Sequence, residues 1–130
     1  DINVKVLFNR VKANNIIGPH VDYGRGCTIN IPICSVFNNS SLDCYEWSNP
    51  VTVISPHEDI TEQEESLFFP QSEIEQQINY TVPICFDTRV PHGVTNQTTE
   101  DRFILGVTFH DKYKVETLKE MYEAGELLVW

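Results

Sequence analysis

Two short segments of the sequence carry side chains that bind divalent metal ions. In the first, His20 and Asp22 stand two positions apart at the end of a β-prone run (GPHVDYG, 18–24). Residues i and i+2 of an extended chain project to the same face, so the imidazole and the carboxylate can meet one ion. The second segment (VPHGV, 90–94) supplies another imidazole, that of His92, from a distant strand. Two histidines and one carboxylate on one face of an octahedron suit Fe(II), so we predict a mononuclear iron site.

Arg102 adds a third element to this pattern. It follows His92 by ten residues, across a turn-prone stretch at 95–98, and it opens a strand predicted at 102–110. A hairpin across that turn would place Arg102 deeper on the same inward face as His92. There, a planar guanidinium can hold a carboxylate through two parallel hydrogen bonds. We therefore expect Arg102 to bind an anionic co-substrate beside the metal.

Polar residues on neighbouring strands extend the expected cavity. Alternation along 102–110 puts Arg102 and Thr108 on a mixed face, which suits a ligand cavity. The opposite face is all apolar, which suits packing against a neighbouring layer; it consists of Phe103, Leu105, Val107 and Phe109. Thr28 and Asn30 share one face of an earlier strand. We expect Asn30 and Thr108 to bind the co-substrate by hydrogen bonds, with Thr28 as a further candidate.

The elements that position these residues are predicted to be mostly strands. Short β-prone runs separated by turn clusters are typical of a sandwich or a barrel. The acidic stretch 58–75 is interpreted as a long loop or a short helix that acts as a lid. Apolar residues at three-and-four spacing before Gly125 predict an amphipathic helix over 115–124. The expected fold class is all-β with a C-terminal helix, with strands at 4–8, 14–20, 27–36, 42–47, 51–55, 80–86 and 102–110.

The composition limits the functions that such a site can serve. A chain of 130 residues predicts one domain, 1–130. The net charge of −10 disfavours nucleic acid as a partner, and no apolar run approaches the ~20 residues that cross a membrane. The four cysteines are expected to be reduced in a cytoplasmic protein, because the sequence carries no secretion signal. Arg25 and Arg89, which flank the metal segments, are interpreted as solvated side chains.

The order and spacing of His20, Asp22, His92 and Arg102 resemble the 2-oxoglutarate/Fe(II)-dependent oxygenase superfamily, whose prolyl and phytanoyl-CoA hydroxylases share this order. The strings CTINIPI, NNSSLDCYEW and VPHGVTNQTTEDRFILGVTF look like a group of small oxygenases within it. The resemblance implies a double-stranded β-helix (jelly roll) with the first three residues as Fe(II) ligands. It also implies that Arg102 anchors the distal carboxylate of 2-oxoglutarate. Family members usually carry a helical segment before the first strand, which this sequence is expected to lack.

For function, the resemblance implies hydroxylation of a small-molecule or peptide substrate, with release of succinate and CO2 from 2-oxoglutarate. Asp22 favours hydroxylation over halogenation, because related halogenases leave the carboxylate position vacant for a halide. Two alternatives stay open. One is a non-catalytic jelly-roll binding module; the other is a cupin-type metalloprotein, although that motif requires a His-x-His pair, which segment 20–22 does not supply. No motif names the substrate or the oligomeric state.

Overall fold

The structure, a computed structural model, describes residues 4–22, 24–33, 40–54 and 65–126. Within these residues the chain forms ten strands and one helix, so the fold is all-β with a C-terminal helix, as the sequence predicts. The elements in chain order are β1 (Val4–Val11), β2 (Asn15–Val21), β3 (Arg25–Pro32), β4 (Ser40–Tyr45), β5 (Val51–Ile54), β6 (Glu65–Phe68), β7 (Ile74–Ile78), β8 (Ile84–Asp87), β9 (His92–Asn96), β10 (Arg102–His110) and α1 (Val115–Glu123).

The strands form two antiparallel sheets. Sheet A has four strands in the order β1-β10-β3-β8, and sheet B has six strands in the order β5-β6-β2-β9-β4-β7. The longest ladder joins β1 to β10, with Val4 opposite Phe109 and Val11 opposite Arg102. Residues from both sheets line one common cavity, and His20, Asp22 and His92 are among them.

The central strand β10 has two different faces. The even-numbered residues from Arg102 to Thr108 are buried, whereas the odd-numbered residues between them are half-buried. The buried face looks inward, since Thr108 lines the cavity. On the outer face, Phe109 packs with Cys27 of β3 and Leu118 of α1. This division confirms the two faces predicted for the strand.

The outer face of sheet A is covered at one end and open at the other. The helix α1 covers the end around Phe109 through Leu118, its one buried residue. At the other end, Phe103 stacks on Phe8 of β1 with ring centroids 5.6 Å apart. Phe8 and Val6 are nevertheless among the exposed apolar side chains. Within the described residues, the expected packing layer therefore covers only part of this face.

The prediction of a loop or short helix at 58–75 is wrong for its second half. Strand β6 and the start of β7 fall there, while 58–64 lies outside the described residues. The strand β7 (IEQQI) is polar and largely exposed, so its sequence gives no alternating apolar signal. Pairing with β4 holds it in the extended conformation, which shows how tertiary context outweighs local preference in strands.

The predicted hairpin between His92 and Arg102 is also wrong. Residues 95–96 belong to β9 rather than to a turn, and β9 and β10 lie in different sheets. Asn96 is fully buried where the chain leaves sheet B, and its Nδ2 donates hydrogen bonds of 3.0–3.2 Å to three backbone carbonyls. Two of those carbonyls belong to residues 11–12, next to the end of β1. Asn96 thus fixes a crossing between the sheets.

The other boundaries deviate less. The strand β10 agrees with its prediction, and β1, β2, β4 and α1 agree within three residues. The predicted strand at 80–86 is shifted, because β8 begins only after Pro83, which lacks the N–H that a ladder needs. For the strand predicted at 27–36, β3 ends at Pro32, and 34–36 lies outside the described residues, as does residue 55. Among the described elements, no helix is long and apolar enough to cross a membrane.

Candidate metal centre

The three predicted metal ligands converge between the sheets. His20 lies in β2, His92 begins β9, and the two residues are direct cross-strand partners in sheet B. Asp22 follows the last residue of β2. The ligand atoms of the three side chains all lie within 4.8 Å of one another. Among the residues that the structure describes, no other group of three such side chains meets in this way.

A bulge in the β2–β9 ladder brings the two histidines together. Residues 18–19 of β2 lie opposite the single residue Gly93 of β9, so the register shifts before His20. Bulges of this kind change the direction in which the following side chain projects. A Cβ on Gly93 would lie 2.4 Å from the Ile17 carbonyl oxygen, a distance that no side chain tolerates. Glycine is therefore required at this point.

Both histidine rings are oriented by a hydrogen bond to the backbone carbonyl two residues earlier in the chain. The Nδ1 of His20 lies 2.9 Å from the carbonyl oxygen of Gly18, and the Nδ1 of His92 lies 2.9 Å from that of Val90. A carbonyl oxygen only accepts, so each Nδ1 carries the proton and donates. In the neutral form of such a ring, Nε2 keeps its lone pair, and this is the form of imidazole that binds a metal. In both segments a proline lies between the histidine and the carbonyl it contacts.

Asp22 sits between the two imidazoles. Its Oδ1 is 3.9 Å from the Nε2 of His20, and its Oδ2 is 3.7 Å from the Nε2 of His92. Burial, and next the neighbouring His20, lower the pKa of His92 to about 4, so this imidazole is neutral near pH 7. The side chain of His92 is 6% exposed, whereas those of His20 and Asp22 are 25% and 21% exposed. Solvent therefore reaches the group mainly at His20 and Asp22.

A cavity of about 190 Å³ extends from these ligands between the two sheets. Thr28, Asn30 and Thr108, the polar residues expected to bind a co-substrate, all line it from sheet A. The hydroxyl groups of Thr28 and Thr108 are hydrogen-bonded to each other at 3.1 Å. The structure thus brings these three predicted residues into one space with the metal ligands.

Arg102 lies elsewhere in this arrangement. It is fully buried and is not one of the residues that line the cavity, although its neighbour on the same face, Ile104, is. Its Nη1 donates to the Ser40 hydroxyl at 2.8 Å and to the Ser41 carbonyl oxygen at 3.2 Å. Its guanidinium also stacks on the ring of Tyr80, 4.8 Å from the centroid. Burial raises the pKa of Tyr80, and the charge of Arg102 opposes that rise.

Sequence reasoning missed two residues that hold Asp22. Arg25 was interpreted as solvated, but its side chain is only 21% exposed, and its Nη1 lies 3.3 Å from the Oδ2 of Asp22. The Asp-x-x-Arg spacing in a turn is a signal that could have indicated this pair. Thr88, fully buried after β8, accepts a hydrogen bond from the Asp22 amide at 3.2 Å. Nothing in the local sequence marks Thr88. Arg89, the other arginine interpreted as solvated, is bound to Asp87.

Together these features define an all-β protein with an accessible site of two histidines and one carboxylate between its sheets. No protein-family model matches the chain, and no curated protein matches it significantly. The geometry of this site is therefore the basis for a functional proposal.

Proposed function

We propose that this chain is a 2-oxoglutarate- and Fe(II)-dependent oxygenase that hydroxylates a small-molecule or peptide substrate. The observation that carries the proposal is the convergence of His20, Asp22 and His92 at the end of a cavity. Two imidazoles and one carboxylate form a donor set that suits Fe(II) and leaves positions open for a co-substrate and O2. Bound Fe(II) and 2-oxoglutarate would supply the O2 activation that yields succinate and CO2.

The strand pairing supports a jelly roll as the finer description of the fold. If the hairpin of β5 and β6 is set aside, eight strands remain. They pair as nested partners, β1 with β10, β2 with β9, β3 with β8 and β4 with β7. A long hairpin rolled up in this way is the double-stranded arrangement of jelly rolls. The histidines then lie on one of the inner nested pairs, β2 and β9.

Within this proposal, the chain's own residues bind and orient the co-substrate. Thr28, Asn30 and Thr108 offer polar groups to a carboxylate inside the cavity. Arg102 is buried outside the cavity lining, beside the lining residue Ile104, and stays the proposed anchor of the distal carboxylate because its guanidinium fork suits a carboxylate.

The cavity lining includes two arginines and one acid, in a chain whose net charge is −10. Both arginines are already paired with carboxylates, Arg10 with Asp101 and Arg25 with Asp22, so the positive charge that favours a dicarboxylate ligand would come from the divalent ion.

Thermal melting with added ligands tests the proposal against its alternatives. We expect Mn(II) together with 2-oxoglutarate to raise the melting temperature more than Mn(II) alone, because ligands that bind only the folded state stabilise it. A cupin-type metalloprotein would respond to metal alone, and a binding module without a metal would respond to neither. His110→Ala is the matched control for His92→Ala, because His110 is exposed and lies outside the cavity.

Catalysis itself is tested by screening for substrates that stimulate succinate formation by the Fe(II)-loaded protein. A substrate that stimulates succinate formation in the wild type and not in His92→Ala would support the oxygenase.

A cytoplasmic location is also part of the proposal. It is supported by the free thiols of Cys27, Cys44 and Cys85, which fit a reducing compartment.

A further inference from the structure

The carboxylate of Asp22 has two oxygens in different surroundings. Oδ1 is 3.9 Å from the Nε2 of His20. Oδ2 lies 3.7 Å from the Nε2 of His92 and 3.3 Å from the Nη1 of Arg25. A guanidinium at that distance from one oxygen competes with a metal ion for that oxygen. The two oxygens are therefore not equivalent as metal ligands.

The backbone of Arg25 is held in place by contacts other than its ion pair with Asp22. Its carbonyl oxygen accepts a hydrogen bond of 3.1 Å from the hydroxyl of Thr88. The same Thr88 accepts the Asp22 amide through its own carbonyl oxygen, so one residue fixes both ends of the ion pair. Gly26, the next residue, packs so closely that a Cβ would lie 2.0 Å from the Tyr113 carbonyl oxygen. The turn between β2 and β3 is thus braced from two sides.

We propose that Arg25 is a positioning residue that occupies Oδ2 of Asp22 and so limits this carboxylate to one coordination position on the metal. The inference rests on the proposed function. A carboxylate can bind a metal through one oxygen or through both. If Asp22 used both, one of the open positions that a 2-oxoglutarate-dependent reaction needs would be lost. With Oδ2 bound to Arg25, the site keeps its three open positions.

The sign of the expected effect separates this role from two simpler ones. Removing the cation of Arg25 relieves its repulsion of the metal and frees Oδ2 as a second ligand, so metal affinity should stay equal or rise. A residue that only stabilised the turn would instead lower metal affinity when replaced, because Asp22 would lose its place. If Arg25 acted only through its charge, its replacement would change the metal affinity without changing the number of open coordination positions on the metal.

The experiment compares Arg25→Gln with the wild type, both loaded with Mn(II) without O2. Water-proton relaxation counts the exchangeable waters on Mn(II), and we expect about three in the wild type and about two in the variant. Mn(II) should bind the variant at least as tightly as the wild type. The dissociation constant of 2-oxoglutarate should rise, because a second Asp22 oxygen on the metal takes one of the positions that 2-oxoglutarate needs.

Two further variants complete the test. Arg25→Lys keeps a cation that can contact Oδ2, so it should restore most of the water count. Arg89→Gln is the matched control, because Arg89 contacts Asp87 at 2.5 Å and 2.8 Å and contributes nothing to the cavity lining. An unchanged water count in Arg25→Gln overturns the inference, whether Mn(II) affinity is unchanged or weaker, and leaves the metal site standing. A wild-type chain that binds no Mn(II) overturns both the inference and the proposed function.

Discussion

The proposed site has a metal end at the cavity and an arginine end outside the cavity lining, and the two ends hold their charged groups in different ways. At the metal end, formed by His20, Asp22 and His92, the ligand atoms lie within 4.8 Å of one another beside the cavity. At the arginine end, Arg102 is fully buried and already bonded to Ser40 and Ser41. The proposed metal end thus already brings its three candidate ligands together. A carboxylate that binds Arg102 must instead enter space that protein groups now fill.

This difference separates two parts of the functional proposal. The orientation of each histidine depends on backbone carbonyls two residues away, so the metal end is built locally. Arg102 depends on residues 40–41, about sixty positions away in sequence, and on the ring of Tyr80. A substitution at one end should therefore leave the other end largely unaffected. The following predictions test that independence, starting with the largest expected effect.

Asp22→Ala should abolish metal binding, with the affinity for the metal falling by at least about 100-fold. This is more than the 10–100-fold typical of residues that only hydrogen-bond to a metal ligand. Any 2-oxoglutarate turnover should be lost with it. The loss of the Arg25 contact should cost at most about 1 kcal/mol of stability, because the pair is partly exposed. Calorimetric titration with Mn(II) and urea denaturation measure the two quantities. Wild-type Mn(II) affinity would mean that Asp22 only pairs with Arg25.

Arg102→Lys is the matching test of the arginine end. It should weaken 2-oxoglutarate binding by about 2–5 kcal/mol, the range for disrupting a buried charge pair, because Lys has no planar fork. Metal affinity should barely change, since Arg102 does not line the space around the ligands. Titration of 2-oxoglutarate into the anaerobic Fe(II) protein, followed by its visible absorption, measures this. Undiminished 2-oxoglutarate affinity would show that another residue anchors the co-substrate or that the co-substrate is different.

The sequence indicated that His20, Asp22 and His92 could meet, because the information for this is local. The i and i+2 spacing of His20 and Asp22, and a second Pro-His pair at 91–92, are visible in short windows. The alternation of β10 was equally visible, and its inner and outer faces are confirmed. The sequence did not indicate how the chain connects these elements. Asn96 looked like a turn residue, yet it is a buried crossing point whose partners lie in residues distant along the chain.

The residues around Arg102 and Asp22 were missed for the same physical reason. Ser40 and Tyr80 contact Arg102 only because three separate strands and loops meet there. Thr88 contacts Asp22 across a separation of more than sixty residues. A single sequence carries no signal for such pairs, since each residue type is ordinary in its own surroundings. The sequence therefore indicated which residues could bind a metal, and the fold showed what holds them.

Thr108→Val probes the middle of the cavity with a smaller effect. The change keeps the shape of the side chain and removes the hydrogen bond with the Thr28 hydroxyl. Because such a bond contributes about 0.5–1.5 kcal/mol, we expect stability to fall by about 1 kcal/mol. The affinity for 2-oxoglutarate should fall by a similar amount, and Mn(II) affinity should not change. If Thr28→Val gives the same two losses, the hydroxyl pair acts as one unit; a weaker metal affinity would contradict the separation of the two ends.

Arg89→Gln should have the smallest effect, because this arginine belongs to neither end. Its hydrogen bonds to Asp87 hold the pKa of that carboxyl below its usual range. A carboxyl with a lowered pKa in the folded state stabilises the fold above its ordinary pKa, and this contribution disappears as the pH falls through the lowered value. At pH 7 the variant should therefore lose less than about 1 kcal/mol, since both side chains are about one third exposed. Urea denaturation at pH 7 and at about pH 3 should show the difference from wild type shrinking in acid. Mn(II) affinity should be the same in both proteins, and a clear change would mean that the metal end extends to the turn at 87–89.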